Sequence, residues 1–475
     1  MSYSNEVYKD TSDRLGSGKI LPLVFKLTIP AVIAQLITFL YNIVDRIFVA
    51  KIDGAGMNAL AALGIVLPIT LVIQGFASLI GLGASPRASI KLGEQDKQGA
   101  AKIFNTAFIL LLGLGIILSV SIFILSKQLV IAFGCPQDAV DFAVSYLRIY
   151  SAGTLFVLLA QGLNPFITAQ GCSLIAMISV SIGAIINIAL DPIFIFVMKM
   201  GVKGASLATV ISQFISFVWI IAFFFSRRSI FKFKLKYMKP QAKTVASILS
   251  LGFTPFIMTI TESAIQIVFN VNLNRSTAGN PDYTAALTIM LSALQLISLP
   301  LNGLGYGMQP FVSYNYGKGD TVRLKKGIKY VTIIAFVFAI TLWTISLSAP
   351  QVFAYIFSAS ESVKNIVKAY TPLFLMGSIM FFVQMTLQNI NVALGQSKSA
   401  LILAVLRKVV ILIPLCFTLT HFIGFKGTYM SEGIADFIAG IITAIVIFVT
   451  FPKIFKKREE FLNSATQKQE DVDNG

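Results

Sequence analysis

Residues Ser181 to Met198 read Ser-Ile-Gly-Ala-Ile-Ile-Asn187-Ile-Ala-Leu-Asp191-Pro192-Ile-Phe-Ile-Phe-Val-Met. The stretch is apolar enough to cross a bilayer, yet it carries an amide and a carboxylate four residues apart, which a helix places on one face. Pro192 follows the acid at once. Having no amide hydrogen, it leaves the carbonyl of Ile188 without its usual helical partner and kinks the helix. A carboxylate, an amide oxygen and a spare carbonyl result, hard oxygen ligands that suit a proton or a small cation. On insertion scales an acid costs roughly 2.5 to 3.5 kcal/mol at the centre of a membrane helix. Two explanations cover its presence: a functional role, or a structural pairing with Arg or Lys on a neighbouring helix.

The composition fits a membrane. Of 475 residues 56% are hydrophobic and only 12% charged, with 39 Phe, and that charged fraction is about half of a soluble domain's. The first 19 residues are polar and of mixed charge, without the apolar core of a cleaved signal peptide, which keeps the N-terminus in the cytosol. Apolar windows of about twenty residues define twelve spans starting near Ile20, Met57, Ala100, Asp138, Ser173, Lys203, Ala246, Tyr283, Gly327, Val363, Ser399 and Thr428. An even number returns the C-terminus to the side of the N-terminus. Basic residues crowd that side, in Arg87 to Lys102, Arg227 to Lys243, Lys318 to Lys329 and Lys453 to Arg458, while the other side holds scattered Lys51, Lys127, Lys199 and Arg275. Both termini of this multi-pass cell-membrane protein are therefore expected in the cytoplasm. The net charge of +17 is then topology, and the basic run from 227 to 243 suits anionic headgroups rather than nucleic acid. The polar tail from Glu459 onward reads as disordered. Cys135, Cys172 and Cys416 are isolated and suggest neither a disulfide framework nor a zinc site.

The chain repeats itself. Gly81, Gly83, Pro86, Ser89, Gly93 and Asp96 recur in register as Gly305, Gly307, Pro310, Ser313, Gly317 and Asp320. Nearly the same offset relates Pro30 to Pro255, Tyr146 to Tyr370, Gly153 to Gly377, Gly171 to Gly395, and Gly201-Val-Lys-Gly204 to Gly424-Phe-Lys-Gly427. A six-helix unit has been duplicated, and because six is even both copies insert the same way. The expected fold is an all-α membrane protein, twelve transmembrane helices in two six-helix bundles related by an axis along the membrane normal, with a cavity between them. Its divisions are a cytoplasmic segment 1–19, a lobe 20–226, a basic linker 227–245, a lobe 246–451 and a cytoplasmic tail 452–475. Two lobes able to rock about a cavity suit alternating access, which a channel or scaffold does not need.

Four motifs carry a family resemblance: Tyr41-Asn42-Ile-Val-Asp45, the Gly81-Leu-Gly-Ala-Ser-Pro86 end of the second span, Asn187 to Pro192, and Gly201-Val-Lys-Gly-Ala-Ser-Leu-Ala-Thr209. In their order, with the duplication, the chain resembles the multidrug and toxic compound extrusion (MATE) family over residues 15 to 455. The resemblance implies a secondary antiporter that expels cationic amphipathic organic compounds in exchange for H+ or Na+. It further implies a cation site in the first lobe at Asp45, Asn187, Asp191 and Thr209, where Na+ is the one metal to consider. A monomer without a cofactor, working on small organic cations within the lipid bilayer, is expected.

The bare residues extend this picture. Gln35, Thr38, Asn42 and Asp45 form one polar stripe on the first span, with Arg46 as an alternative ion-pair partner for Asp45 at the helix end. Thr259, Glu262, Gln266 and Asn270 form the counterpart on the seventh, but Asn270 stands where Asp45 would, and Ile411 and Leu415 replace Asn187 and Asp191. The second copy of the cation site is thus lost. Gln35, Glu262, Gln266, Gln384 and Asp436 are the candidates for substrate contact, in a cavity made adaptable by Met376, Met380, Met385, Phe381 and Phe382. For Glu262 and Asp436 the alternative is pairing with Arg407 or Lys408, and for the tenth-span Met and Phe it is ordinary packing. A flippase for a lipid-linked precursor would need basic groups for a polyanionic headgroup, whereas the acids here favour cationic cargo. An intramembrane transferase would need His, Asp or metal constellations that the sequence does not offer. Reporters fused after Arg458 and inserted between residues 227 and 243 are expected to be cytoplasmic, and external labelling of either would overturn the twelve-span topology.

Overall fold

The computed structural model describes residues 14–52, 56–133, 135, 137–357 and 359–473. Among them there is no strand. Most of the segment expected to precede the first span, residues 1–13, lies outside the described residues.

Twelve spans follow in order: α1 Ile20–Ala50, α2 Gly56–Gly93, α3 Lys97–Ala132, α4 Val140–Ala169, α5 Ser173–Pro192, α6 Val202–Phe225, α7 Ala242–Ser276, α8 Pro281–Lys318, α9 Thr321–Ser348, then α10, α11 Ser397–Ile423 and α12 Phe425–Asp473. α10 is a pair of helices, Glu361–Leu375 and Ser378–Ala393, bent by 46° at the break. Among the described residues eleven helices are long and apolar enough to cross a membrane, and counting the bent pair as one span gives twelve. α9 begins ahead of the expected Gly327 because the Asp320 side chain accepts from Arg323 N at 2.9 Å and caps a polar first turn. Asp96 caps α3 in the same way, accepting from Gly99 N at 2.7 Å.

The duplication is visible in the backbone. Asp96 and Asp320 are matching positions, and the residues before them, Gln95 (φ 60°) and Gly319 (φ 82°), share a left-handed conformation. Gly201 (φ 56°, ψ −132°) and Gly424 (φ 65°, ψ −150°) stand at matching entries to α6 and α12, in a region that only glycine occupies readily.

By compactness the chain divides into one unit of Ile33–Ala88 with Asp96–Ser263, and another of Asp13–Val32, Ser89–Gln95 and Ala264–Gly475. In the first, α4 packs on α3 and α6, and α5 packs on α6. The approach of α4 to α6 requires a small residue, since a Cβ on Gly153 would run into Val210. In the second, α8 packs on α9 and α10, and α12 on α10 and α11. There a Cβ on the matching Gly377, at the bend of α10, would meet the carbonyl of Gly433 and the side chain of Asp436.

The segment after α6 is held against the first unit. Gln170 Oε1 accepts from Ile230 N at 2.5 Å and from Ser229 Oγ at 3.2 Å, while Asn105 accepts from Lys234 N at 2.9 Å and donates to Lys232 O at 3.0 Å. Phe104 packs on Phe231 and Phe233, with ring centroids 5.3 and 5.2 Å away. Lys232 Nζ donates to Phe224 O at 3.1 Å and to Ser226 O, satisfying carbonyls at the C-terminus of α6, and burial lowers its pKa.

The tail departs from the sequence expectation of disorder, since α12 continues as helix through Asp473. Its polar extension is supported at several points. Arg458 pairs with Glu94 at 2.9 Å and bonds Tyr316 O and Gly317 O, Thr321 donates to Glu459 at 2.5 Å, and Lys456 lies 3.9 Å from Glu460 one turn on.

Around Gly424 no atom lies within 4 Å of an added Cβ, and at Gly201 only Ile52 approaches, at 3.9 Å, so the demand there is conformational. Gly201→Ala and Gly424→Ala are each expected to cost about 1–3 kcal/mol, read as a lowered melting temperature in detergent. Gln95→Gly, at a position already left-handed, is expected to cost nothing; equal losses in all three would refute the conformational reading.

Candidate functional site

Asp191 and Asn187 lie on one face of α5, 0% and 2% exposed. Beyond Pro192 the helix does not simply kink as expected; it widens into a π-helical turn, Ile193–Val197, with Met198 N bonded to Ile193 O at 2.8 Å. Such wide turns recur at functional sites because they redirect side chains without ending a helix. Asn187 Nδ2 donates to Asp191 Oδ1 at 3.4 Å and to Thr209 Oγ1, on α6, at 3.5 Å. Thr209 in turn donates to Ala205 O at 3.0 Å. The amide contacts are long, a loosely held set rather than a closed network.

Asp45 comes in from α1, its carboxyl within hydrogen-bonding reach of Asp191. Tyr41 lies near Asp45, and Tyr146 on α4 reaches Thr209 with its hydroxyl and borders both acids. Ser206 holds Tyr146 by donating to its carbonyl at 2.8 Å. The structure thus brings Asp45, Asn187, Asp191 and Thr209 together within the first unit. Arg46, the alternative partner weighed for Asp45, has a side chain outside the described residues.

Asp191 Oδ2 and Asn187 Oδ1 are buried, and no donor among the described residues serves them. Nor does any described Lys, Arg or His pair with Asp191. Two carboxyls at this range in a low dielectric repel strongly when both are ionised, and a proton or a monovalent cation between them removes the repulsion. The donor set of two carboxylates, an amide oxygen and a hydroxyl is all hard oxygen, which fits a proton or Na+ and offers nothing to a soft metal.

The residues singled out for substrate contact fall on α1, α7, α10 and α12. Gln35 is half-buried on α1, whereas Glu262 and Gln266 are exposed on α7. Gln384 and Asp436 meet in the second unit, where Gln384 Nε2 donates to the Asp436 carbonyl. Asp436 is 0% exposed and accepts from Arg407 Nε at 2.6 Å; the same guanidinium stands 3.6 Å from Glu432 Oε1 and 5.0 Å over the ring of Phe381. Pairing with Arg407, one of the two alternatives open for Asp436, is present. Arg407 and its neighbour Lys408 are both buried, in the middle of α11, where Leu406–Leu412 is also a π-helical turn. Of the tenth-span residues, Phe381 and Met385 are buried in packing, and Met376, Met380 and Phe382 are half-buried.

The repeat relates the two clusters. Eight residues beyond Gly201 stands Thr209, and eight beyond Gly424 stands Glu432. Where the first copy has an uncharged hydroxyl near two acids, the second has an acid answered by a built-in guanidinium. Sequence reasoning missed Tyr41 and Tyr146 as members of the first cluster and the bridging role of Arg407. Tyr146 was visible only as the repeat partner of Tyr370, which packs instead on Tyr429 and Phe425.

Comparison with known proteins agrees with this architecture. The MatE family model matches residues 30–193 and again 255–418, one match per repeat. The multidrug export protein MepA of Staphylococcus haemolyticus is 29% identical over 434 residues, 90% of this chain and 93% of that one. The MepA of Staphylococcus saprophyticus is 27% identical over 441 residues, 92% and 95%. Among solved structures, a MATE in the straight conformation superposes with a TM-score of 0.87 at 23% identity, over 94% of this chain and 99% of that one. An outward-facing MATE family transporter gives 0.87 at 23%, over 94% and 98%. With its duplicated helices, its spans and both matches in hand, the chain belongs to the MatE family and is a membrane transporter, not an enzyme.

Proposed function

We propose that this transporter is a secondary active antiporter of the cell membrane, both termini cytoplasmic, which exports cationic amphipathic organic compounds in exchange for inward H+ or Na+ by alternating access. The observation that carries the reading is Asp191, wholly buried against Asp45, with its Oδ2 and Asn187 Oδ1 offered no donor among the described residues. A buried acid left this way is suited to an exchangeable cation. The export of multiple drugs is what its relatives are named for, and the acids Glu262 and Asp45 favour cationic cargo over neutral or anionic compounds.

Coupling follows from differential affinity, because a ligand shifts a conformational equilibrium only by binding one state better than the other. A cation at Asp191 removes the repulsion from Asp45, which lets the π-turned end of α5 repack and biases the first unit toward the state that releases cargo. One charge moved inward gains about 2.3 kcal/mol per 100 mV, and exchange for a monovalent drug cancels that gain. One-for-one exchange would therefore be driven by the ion concentration gradient alone.

Asp191→Asn is expected to abolish gradient-driven efflux of a cationic dye from proteoliposomes, under a proton gradient and under a sodium gradient alike, while dye binding persists with little dependence on pH or sodium. Uphill efflux by this variant at normal expression would remove Asp191 from the mechanism. Whichever gradient drives the unmutated protein identifies the ion.

On the same reading the exchangeable cation belongs to the first repeat, and Arg407 is the fixed cation of the second. Arg407→Gln is expected to cost about 3–5 kcal/mol of stability by stranding buried carboxylates, seen as a large drop in thermal midpoint in detergent. Adding Asp436→Asn should restore part of the loss; a double variant no more stable than the single one would show that the ion pair is not the source.

A further inference from the structure

A cavity of about 200 Å³ opens where α3, the segment after α6 and the start of α7 meet, all within the first unit. Lys102 and Thr106 of α3 line one wall, Lys236, Tyr237 and Lys239 another, and Thr244 in the first turn of α7 closes the end. Three lysines therefore line one small space, and no lining residue is an acid. Thr106 is only 3% exposed and places a hydroxyl-bearing side chain in the wall of the cavity.

The walls are built in place. Asn105, adjacent to Thr106, bonds the backbone of Lys232 and Lys234, and Tyr237 N bonds Lys234 O at 2.9 Å, fixing the turn Leu235–Tyr237 that carries Lys236. Below it Phe104 stacks on Phe231 with ring planes 20° apart. Gln241 O accepts from Val245 N at 3.0 Å, which starts α7 at the cavity and turns the positive end of its dipole toward it. The three lysines are exposed, but the backbone of the loop that carries Lys236 is pinned to Asn105 at Lys232 and Lys234.

We propose that this cavity is a binding site for a phosphate group, with three lysine ammonium groups taking the charge and Thr106 and Thr244 donating hydrogen bonds. It sits where α3 and α7 begin, at the boundary between apolar span and basic segment, so an anionic phospholipid headgroup can enter from the bilayer and free phosphate from solution. The site lies apart from the Asp191 cluster, and the inference does not depend on the transport mechanism.

The test uses the full chain in neutral detergent, with binding read by native mass spectrometry and by thermal shift. The probes are phosphatidylglycerol, phosphatidylcholine and inorganic phosphate. Phosphatidylglycerol is expected to bind and to raise the melting temperature, and zwitterionic phosphatidylcholine, whose choline faces the same lysines, is not. Combined Lys102→Gln, Lys236→Gln and Lys239→Gln should weaken phosphatidylglycerol binding by about tenfold or more. Thr106→Val should weaken it to a smaller degree. Matching substitutions at Lys325, Lys326 and Lys329, in another basic segment, should leave it unchanged. Displacement of the lipid by inorganic phosphate would assign both sources to the site, and failure to displace would assign the headgroup alone. Equal binding of the two lipids, or an equal loss in the Lys325, Lys326 and Lys329 control, would overturn the proposal in favour of diffuse surface charge.

Discussion

A carboxylate buried in a membrane helix must be compensated, and much of this structure answers that constraint. At Asp191 the chain supplies an amide, a hydroxyl and a second acid, Asp45, but no described basic side chain pairs with the carboxylate. Removing an ion from water into a low dielectric is costly unless an opposite charge is close. A site arranged like this is energetically incomplete by itself, and an incomplete site responds to whatever cation reaches it.

The second repeat meets the same constraint by another route. Arg407 lies against Asp436 and Glu432 with both acids nearly inaccessible, and the aromatic face of Phe381 covers the guanidinium. A planar guanidinium can serve two carboxylates at once, which a lysine ammonium does less well. The local device is shared: π-helical turns in α5 and α11 set the neighbouring side chains off the regular helical face. Duplication preserved the backbone, in the Asp caps and the left-handed turns, while the charges diverged.

Much of the fold was legible in the sequence. Apolar length marks the spans because an unpaired backbone cannot cross a bilayer, and the recurring Gly, Pro and Asp positions mark the duplication because turns and caps tolerate few substitutes. Asn187 and Asp191 could be placed together because they are four residues apart on one helix. Asp45 and Thr209 entered through family resemblance, since no local spacing relates residues on α1, α5 and α6.

What the sequence determined by itself is therefore what depends on local geometry: the helices, their number, their repeat and the shared face of Asn187 and Asp191. Tertiary structure alone decided the rest. It brought Tyr146 to Thr209, tied Asp436 to Arg407 and continued α12 as helix past Glu459 through contacts with Glu94 and Thr321. Each of these depends on which faces of distant helices meet. Hydrophobic burial and close packing set that for the molecule as a whole, and it leaves no periodic trace in the chain.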